Sequence, residues 1–220
     1  MHVLFTVKEI DNEPQGILLI SSLLKQAGHK VSLVVATEQD PVEAALRLRP
    51  DVLGYTVYTG PHTWYLELNR RIRAQLPGVF SIFGGPHPTF FPEMIQHEGV
   101  DGLCIGEGEY ATLDLLNALE RHEEGVRLTD PGIHNWWFRL NGEVVRNPLR
   151  PLLTSEELDA MPFADRELLY RALLNILVNA VQAMPAGGAL QVSTRRPASL
   201  VGGAVIEQFD PGTGALTGVT

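Results

Sequence analysis

Through its first 120 residues the chain alternates short apolar or β-branched runs with longer segments whose apolar residues recur at helical spacing. No other feature limits its possible folds as strongly. Residues 2–8 read as a buried strand and 9–16 as a turn-rich stretch. Residues 17–28 have helical periodicity and stop on Gly28, a common helix terminator. Residues 30–36 form a β-branched second strand. Asp40 and Pro41 supply an N-cap and a first-turn proline for a helix that runs to about Arg49. Residues 51–58 are a third strand, and 62–76 a helix with Arg70, Arg71 and Arg73 on its outer face. A fourth strand (79–83), a short helix (92–97), a fifth strand (102–105) and a helix (109–120) complete the series. Such alternation demands parallel pairing through right-handed crossovers. The fold class is therefore α/β, a Rossmann-like or flavodoxin-like five-stranded parallel sheet with helices on both faces.

Beyond it, residues 135–145 read as a small hairpin turning at Asn141-Gly142, with Trp136 and Trp137 as packing residues rather than a ligand platform. Pro148, Pro151 and Pro162 make 147–170 an extended linker. The expected organisation is a ligand-binding domain over 1–130, hairpin and linker over 131–170, and a partial α+β segment over 171–220.

Of the 220 residues, 45% are hydrophobic and 20% charged, enough for a real core. A formal net charge of -9 argues against nucleic acid or an anionic membrane as partner. Nothing at the start resembles a signal peptide and no apolar run approaches the roughly 20 residues of a membrane span, so a cytoplasmic location is expected. Cys104 is the single cysteine, which excludes a disulfide framework and a cysteine-built metal or iron–sulfur site in this chain.

In an open parallel sheet, ligands bind outside the carboxyl ends of the strands. The loops that meet there are 11–16, 58–62, 84–93 and 106–109, all rich in glycine, proline and polar residues. Gly84-Gly85 and Gly106/Gly108 allow close backbone approach to a ligand, although glycine in such loops is also ordinary turn chemistry. Neither a G-x-G-x-x-G fingerprint after the first strand nor a phosphate-binding P-loop is present.

The combination Glu13-Pro14-Gln15-Gly16, 49–54 (RPDVLG), 84–89 (GGPHPT), Gly106-Glu107-Gly108-Glu109, 147–150 (NPLR) and 158–162 (LDAMP) is more specific than its parts. In that order it resembles the N-terminal cobalamin-binding domain of cobalamin-dependent radical SAM proteins, over residues 1 to about 170. The resemblance implies cobalamin as cofactor, held across the carboxyl-end loops with its nucleotide tail against the sheet. By that resemblance Thr56 and Tyr58 line the tail and Gly84 and Gly85 make room for it, with Glu13, Pro14, Gln15, Gly16, Thr59, Pro86 and His87 as further candidate cofactor-binding residues. Gly106, Glu107, Gly108 and Glu109 border the ring or its side-chain amides. Two departures matter. The D-x-H-x-x-G loop that supplies a cobalt-ligating histidine in many cobalamin proteins is here Asp11-Asn12-Glu13-Pro14-Gln15-Gly16, without histidine, so the lower axial position is expected to lack a protein ligand. The family's C-x-x-x-C-x-x-C cluster motif cannot be built from Cys104 alone. The expectation is a corrinoid module without its iron–sulfur catalytic half, working with a separate catalytic or signalling protein.

The last fifty residues change character. Residues 173–185 resemble the asparagine-bearing helix of the sensor histidine kinase ATPase domain, 187–194 its following strand, and Asp210-Pro211-Gly212-Thr213-Gly214 its D-x-G-x-G box. That resemblance would place magnesium on Asn179, one helical turn from Asn175, and adenine on Asp210, beside Gly212 and Gly214. The segment is too short for the domain's core, so ATP binding is not expected. The sequence leaves two alternatives: a fragment of a cobalamin-sensing histidine kinase, and a flavodoxin-like interaction domain. Against the second, Tyr58-Thr59-Gly60 stands where a receiver domain would carry its acidic phosphorylation site.

Overall fold

The structure, a computed structural model, describes residues 1–9, 15–121, 133–184 and 190. The chain divides into two units, 1–169 and 170–220. In the first, strands β1 (His2–Val7), β2 (Lys30–Val35), β3 (Val52–Thr56), β4 (Phe80–Gly84) and β5 (Gly102–Cys104) pair in parallel in the order β2-β1-β3-β4-β5. The α/β class read from the sequence is what the chain adopts.

The hairpin is not a separate element, as the sequence suggested. β6 (Trp136–Leu140) pairs antiparallel with β5, and β7 (Glu143–Arg146) with β6, extending one sheet to seven strands. β5 has only three residues, so its outer edge would otherwise be left unpaired and exposed to other chains. Asn141 (φ 51°) and Gly142 (φ 86°) make the two-residue turn the sequence called for.

Helices α1 (Gln15–Gln26) and α5 (Glu109–Arg121) pack together on one face; α2 (Pro41–Leu48) and α3 (His62–Arg73) pack together on the other. The local signals explain the boundaries. Gly28 ends α1 with a left-handed φ of 89°, and the Asp40 carboxylate caps α2 by accepting the Val42 N–H at 2.7 Å. Arg73 departs from the sequence expectation. It turns inward to pair with Asp101 and donates to the Val79 carbonyl, while Arg70 and Arg71 stay exposed.

Two stretches read as loop or linker contain helix. The segment after β4 forms a five-residue helix, α4 (Pro86–Phe90), followed by the expected short helix as a 3-10 turn, Pro92–Gln96. The proline-rich linker holds α6 (Ser155–Ala160), closed at its start by a reciprocal Thr154/Glu157 capping box, and the beginning of α7 (Arg166–Gln182). Prolines at 148, 151 and 162 fall between these helices and do not prevent them. Asp165 fixes the start of α7. Nearly buried, it accepts hydrogen bonds from Ser21 (2.6 Å) and the Glu167 N–H, and pairs with Lys25 at 2.7 Å.

In the second unit α7 continues to Gln182 and carries Asn175 and Asn179. Asp210, Gly212 and Gly214 lie outside the described residues, as do Glu13 and Pro14. Among the described residues no helix is long and apolar enough to cross a membrane.

Candidate functional site

The order β2-β1-β3-β4-β5 reverses direction between β1 and β3, the switch point where an open α/β sheet leaves a crevice at its carboxyl edge. A cavity of about 290 Å³ opens there. This is at the small end of the roughly 300–1,000 Å³ of typical ligand pockets. Phe5, Thr56, Ile82, Gly84 and Cys104 of the sheet line it, with Gly16 and Ile20 of α1, Glu109 and Thr112 of α5, and Trp136 of β6.

The cavity exists because side chains are missing. Gly54 precedes Thr56 by two on the same face of β3. A Cβ on Gly54 would stand 2.5 Å from the Phe5 ring, so the absence of one lets that ring lie close over β3 as a floor. A Cβ on Gly84 would touch only Cys104 Cβ, at 3.5 Å, and one on Gly16 or Gly106 would meet nothing within 4 Å. Gly85 has φ 100°, and a Cβ there would lie 3.0 Å from the Val57 carbonyl, so glycine is required by the backbone as well as by space.

The cavity's chemistry is mostly apolar. Thr56 and Thr112 contribute hydroxyls, and Glu107 and Glu109 are the charged side chains among the lining residues. Burial, with Glu109 nearby, pushes the Cys104 thiol up to about 12, so it stays protonated and serves as wall. Trp136 donates its indole N–H to the Ala111 carbonyl at 2.8 Å and is 1% exposed. It is the packing residue expected from the sequence and also part of the cavity wall. Among the described residues, the buried side-chain polar atoms without partners are Thr6 Oγ1, His62 Nδ1 and Arg150 Nε, and none of these residues lines the cavity.

Of the residues singled out from the sequence, Gly16, Thr56, Gly84, Gly85, Gly106, Glu107, Gly108 and Glu109 converge on this cavity. Tyr58 and Thr59, on the segment after β3, and Pro86 and His87, in α4, do not line it, and Gln15 is exposed in the first turn of α1. His87 is committed elsewhere. Its ring is stacked between His62 (centroids 4.3 Å apart) and Phe91 (5.0 Å), with Nδ1 3.2 Å from Thr59 Oγ1. Burial lowers its pKa below the ordinary histidine value, with His62 adding to the effect and Glu93 opposing it. Sequence reasoning missed Phe5, Ile20, Ile82, Cys104, Thr112 and the wall role of Trp136. It also missed Phe90, 76% exposed at the end of α4, which with Tyr58 and Phe91 leaves aromatic surface near the carboxyl edge. Two adjacent phenylalanines in a polar, proline-rich loop were the available signal.

A glycine-walled cavity at the switch point marks a domain of the doubly wound α/β class. Residues 1–116 match the B12 binding domain family, so the chain belongs to that family. It is 28% identical over 163 residues to an "uncharacterized methyltransferase" of Pyrococcus horikoshii, covering 71% of this chain and 34% of that protein. It is 32% identical over 120 residues to the anaerobic magnesium-protoporphyrin IX monomethyl ester cyclase of Synechocystis, covering 50% of this chain and 24% of the cyclase. The apo structure of OxsB, a cobalamin-dependent S-adenosylmethionine radical enzyme, superposes with a TM-score of 0.60 at 22% identity, over 78% of this chain and 24% of that one. This chain thus spans about a third or less of the length of these relatives. The histidine-kinase likeness of residues 171–220 finds no support in these comparisons.

Proposed function

We propose that this chain is the corrinoid-holding module of a radical SAM-type protein, with the nucleotide tail of cobalamin in the glycine-walled cavity. The observation that carries the reading is the cavity itself, in a chain of the B12-binding family. Its floor of Phe5 over Gly54, with apolar flanks at Ile20, Ile82 and Trp136, suits a flat heteroaromatic base. Thr56, Thr112, Glu107 and Glu109 can take hydrogen bonds from a sugar or from amides. Tyr58, Phe90 and Phe91 offer aromatic surface beside the cavity for the macrocycle. Cobalamin, when bound, supplies cobalt-based methyl-transfer and one-electron chemistry. The protein's part is to hold it, exclude water from its tail and leave its reactive face toward a catalytic domain. The stacked, Thr59-paired His87 supports a lower cobalt face without a histidine ligand. The described geometry favours neither the kinase-fragment nor the receiver-type alternative.

Incubation with hydroxocobalamin, followed by desalting, should leave the corrinoid visible spectrum on the protein. Gly84→Leu should abolish that retention with unchanged circular dichroism, because the new side chain enters the cavity at ordinary contact distance from Cys104. Gly84 is a cleaner probe than Gly85, where φ 100° would strain any side chain. Electron paramagnetic resonance of bound cob(II)alamin should lack nitrogen superhyperfine splitting. Normal retention by Gly84→Leu would refute the placement of the tail, and a nitrogen triplet lost in His87→Ala would make His87 the ligand.

A further inference from the structure

We propose that Thr89 is a positioning residue for corrinoid binding, its hydroxyl tying together the two glycine loops that border the cavity. The inference rests on the cobalamin reading above. Thr89 lies in α4, half-buried, and does not line the cavity. Its Oγ1 donates to the Gly85 carbonyl at 3.0 Å and accepts the Gly106 N–H at 3.1 Å. The first bond is the ordinary back-bond of a helical threonine. The second reaches 17 residues along the chain and joins α4 to the loop after β5.

The β5 loop is held unequally on its two sides. On one side Asn135 donates from Nδ2 to the Glu107 carbonyl at 2.8 Å. Asn135 is itself fixed by the Arg150 N–H on its Oδ1 (2.7 Å), by the Pro148 carbonyl and by the Ile105 N–H. On the other side the side-chain hold is Thr89 Oγ1 on the Gly106 N–H. Gly106 has φ 81° and no side chain to pack, so its own residue type supplies no restraint. A loop kept in its binding shape before the ligand arrives avoids an ordering cost on binding. Thr89→Val keeps the shape of the side chain and deletes both hydrogen bonds. The Gly106 N–H is exposed and can turn to water, so the fold should persist while the loop gains freedom.

The test is spectroscopic titration of wild type, Thr89→Val and Thr89→Ser with cobalamin and with cobinamide, which lacks the nucleotide tail, alongside thermal denaturation of each apo protein. Thr89→Val should bind cobalamin about tenfold more weakly, as expected for a lost pair of hydrogen bonds. Cobinamide affinity should change by less than about twofold, because the proposed function puts the Gly106 loop against the tail instead of the ring, and the Tm should change by no more than about 2 °C. Thr89→Ser, which keeps the hydroxyl, should restore cobalamin affinity. Wild-type affinity in Thr89→Val, equal loss for both corrinoids, failure of the serine rescue, or a Tm that falls with affinity would each overturn the proposal. If wild type retains neither corrinoid, the cobalamin reading falls and takes this proposal with it. If wild type binds and Thr89→Val matches it, this proposal falls alone.

Discussion

The two faces of the sheet are made from alternate residues of the same strands. Toward α2 and α3 they present Leu4, Leu53, Tyr55, Phe83 and Leu103, all buried in one continuous core. Toward α1 and α5 they present Phe5, Gly54, Ile82, Gly84, Gly102 and Cys104. There the register sets Gly54 beside Ile82 and Ile82 beside Gly102. The filled face also carries a satisfied polar network. Tyr55 and Ser81 donate to Asn69 Oδ1, Asn69 donates to the Gly99 carbonyl, and Arg73 and the Ser81 N–H meet on Asp101. Burial raises the Tyr55 hydroxyl far above its ordinary range, so it stays neutral and donates. One face is therefore organised for cohesion, and the other gives up packing to leave space at its carboxyl end.

If that division holds, damage to the filled face should cost stability and leave binding intact. Asp101→Ala strands Arg73 and the Ser81 N–H, and should destabilise the protein by about 2 kcal/mol in chemical denaturation. The folded fraction should still retain cobalamin with wild-type affinity. Loss of affinity without loss of stability would erase the distinction between the faces. Gly54→Ala probes the open face from within. Its Cβ would meet the Phe5 ring at 2.5 Å, so the ring must rise into the cavity. The expected stability cost is about 1–2 kcal/mol, together with a clear loss of corrinoid retention, measured on the same sample.

A third outcome concerns the cavity wall. With its pKa near 12, Cys104 should resist a disulfide reagent at pH 8 in the native apo protein and react at once in denaturant. Fast native labelling would mean that the cavity opens to water well beyond the shape described. The smallest effect belongs to His87. Its folded pKa lies below the ordinary value, so the fold favours the neutral ring. The stability this provides is present above the unfolded pKa of about 6.5 and drains as pH falls through the folded value. Between pH 7.5 and 5, wild type should lose slightly more Tm than His87→Gln; equal losses would leave the ring stack without a proton-dependent role.

The sequence exposed the strand and helix series because its caps and stops are local: Asp40-Pro41, Gly28 and Asn141-Gly142 each act within a few residues. The carboxyl-end glycines were also legible, since glycine clusters in loops stand out. Gly54 and Gly102 were not, because their meaning comes from partners on other strands, the rings of Phe5 and Phe138, that no local pattern brings together. The merging of β6 with β5 was hidden for the same reason: the hairpin signal fixes a turn and leaves open which edge the hairpin joins. The proline count concealed α6 and the start of α7, whose capping residues, Thr154 with Glu157 and Asp165, carry the local signal instead.

The glycine lining of the cavity has a consequence at the level of the gene. A single-nucleotide change in a glycine codon that alters the amino acid installs something larger, so point mutation at Gly16 or Gly84 can only narrow the space. At Gly84 the first added carbon lands at ordinary contact distance, and at Gly16 in open space, so such changes should pass the cell's surveillance of misfolded chains. Lineages that lose the need for the ligand should therefore keep abundant, well-folded copies whose cavity has silently closed, and the residues at these two positions would tell an intact binding module from its fossil.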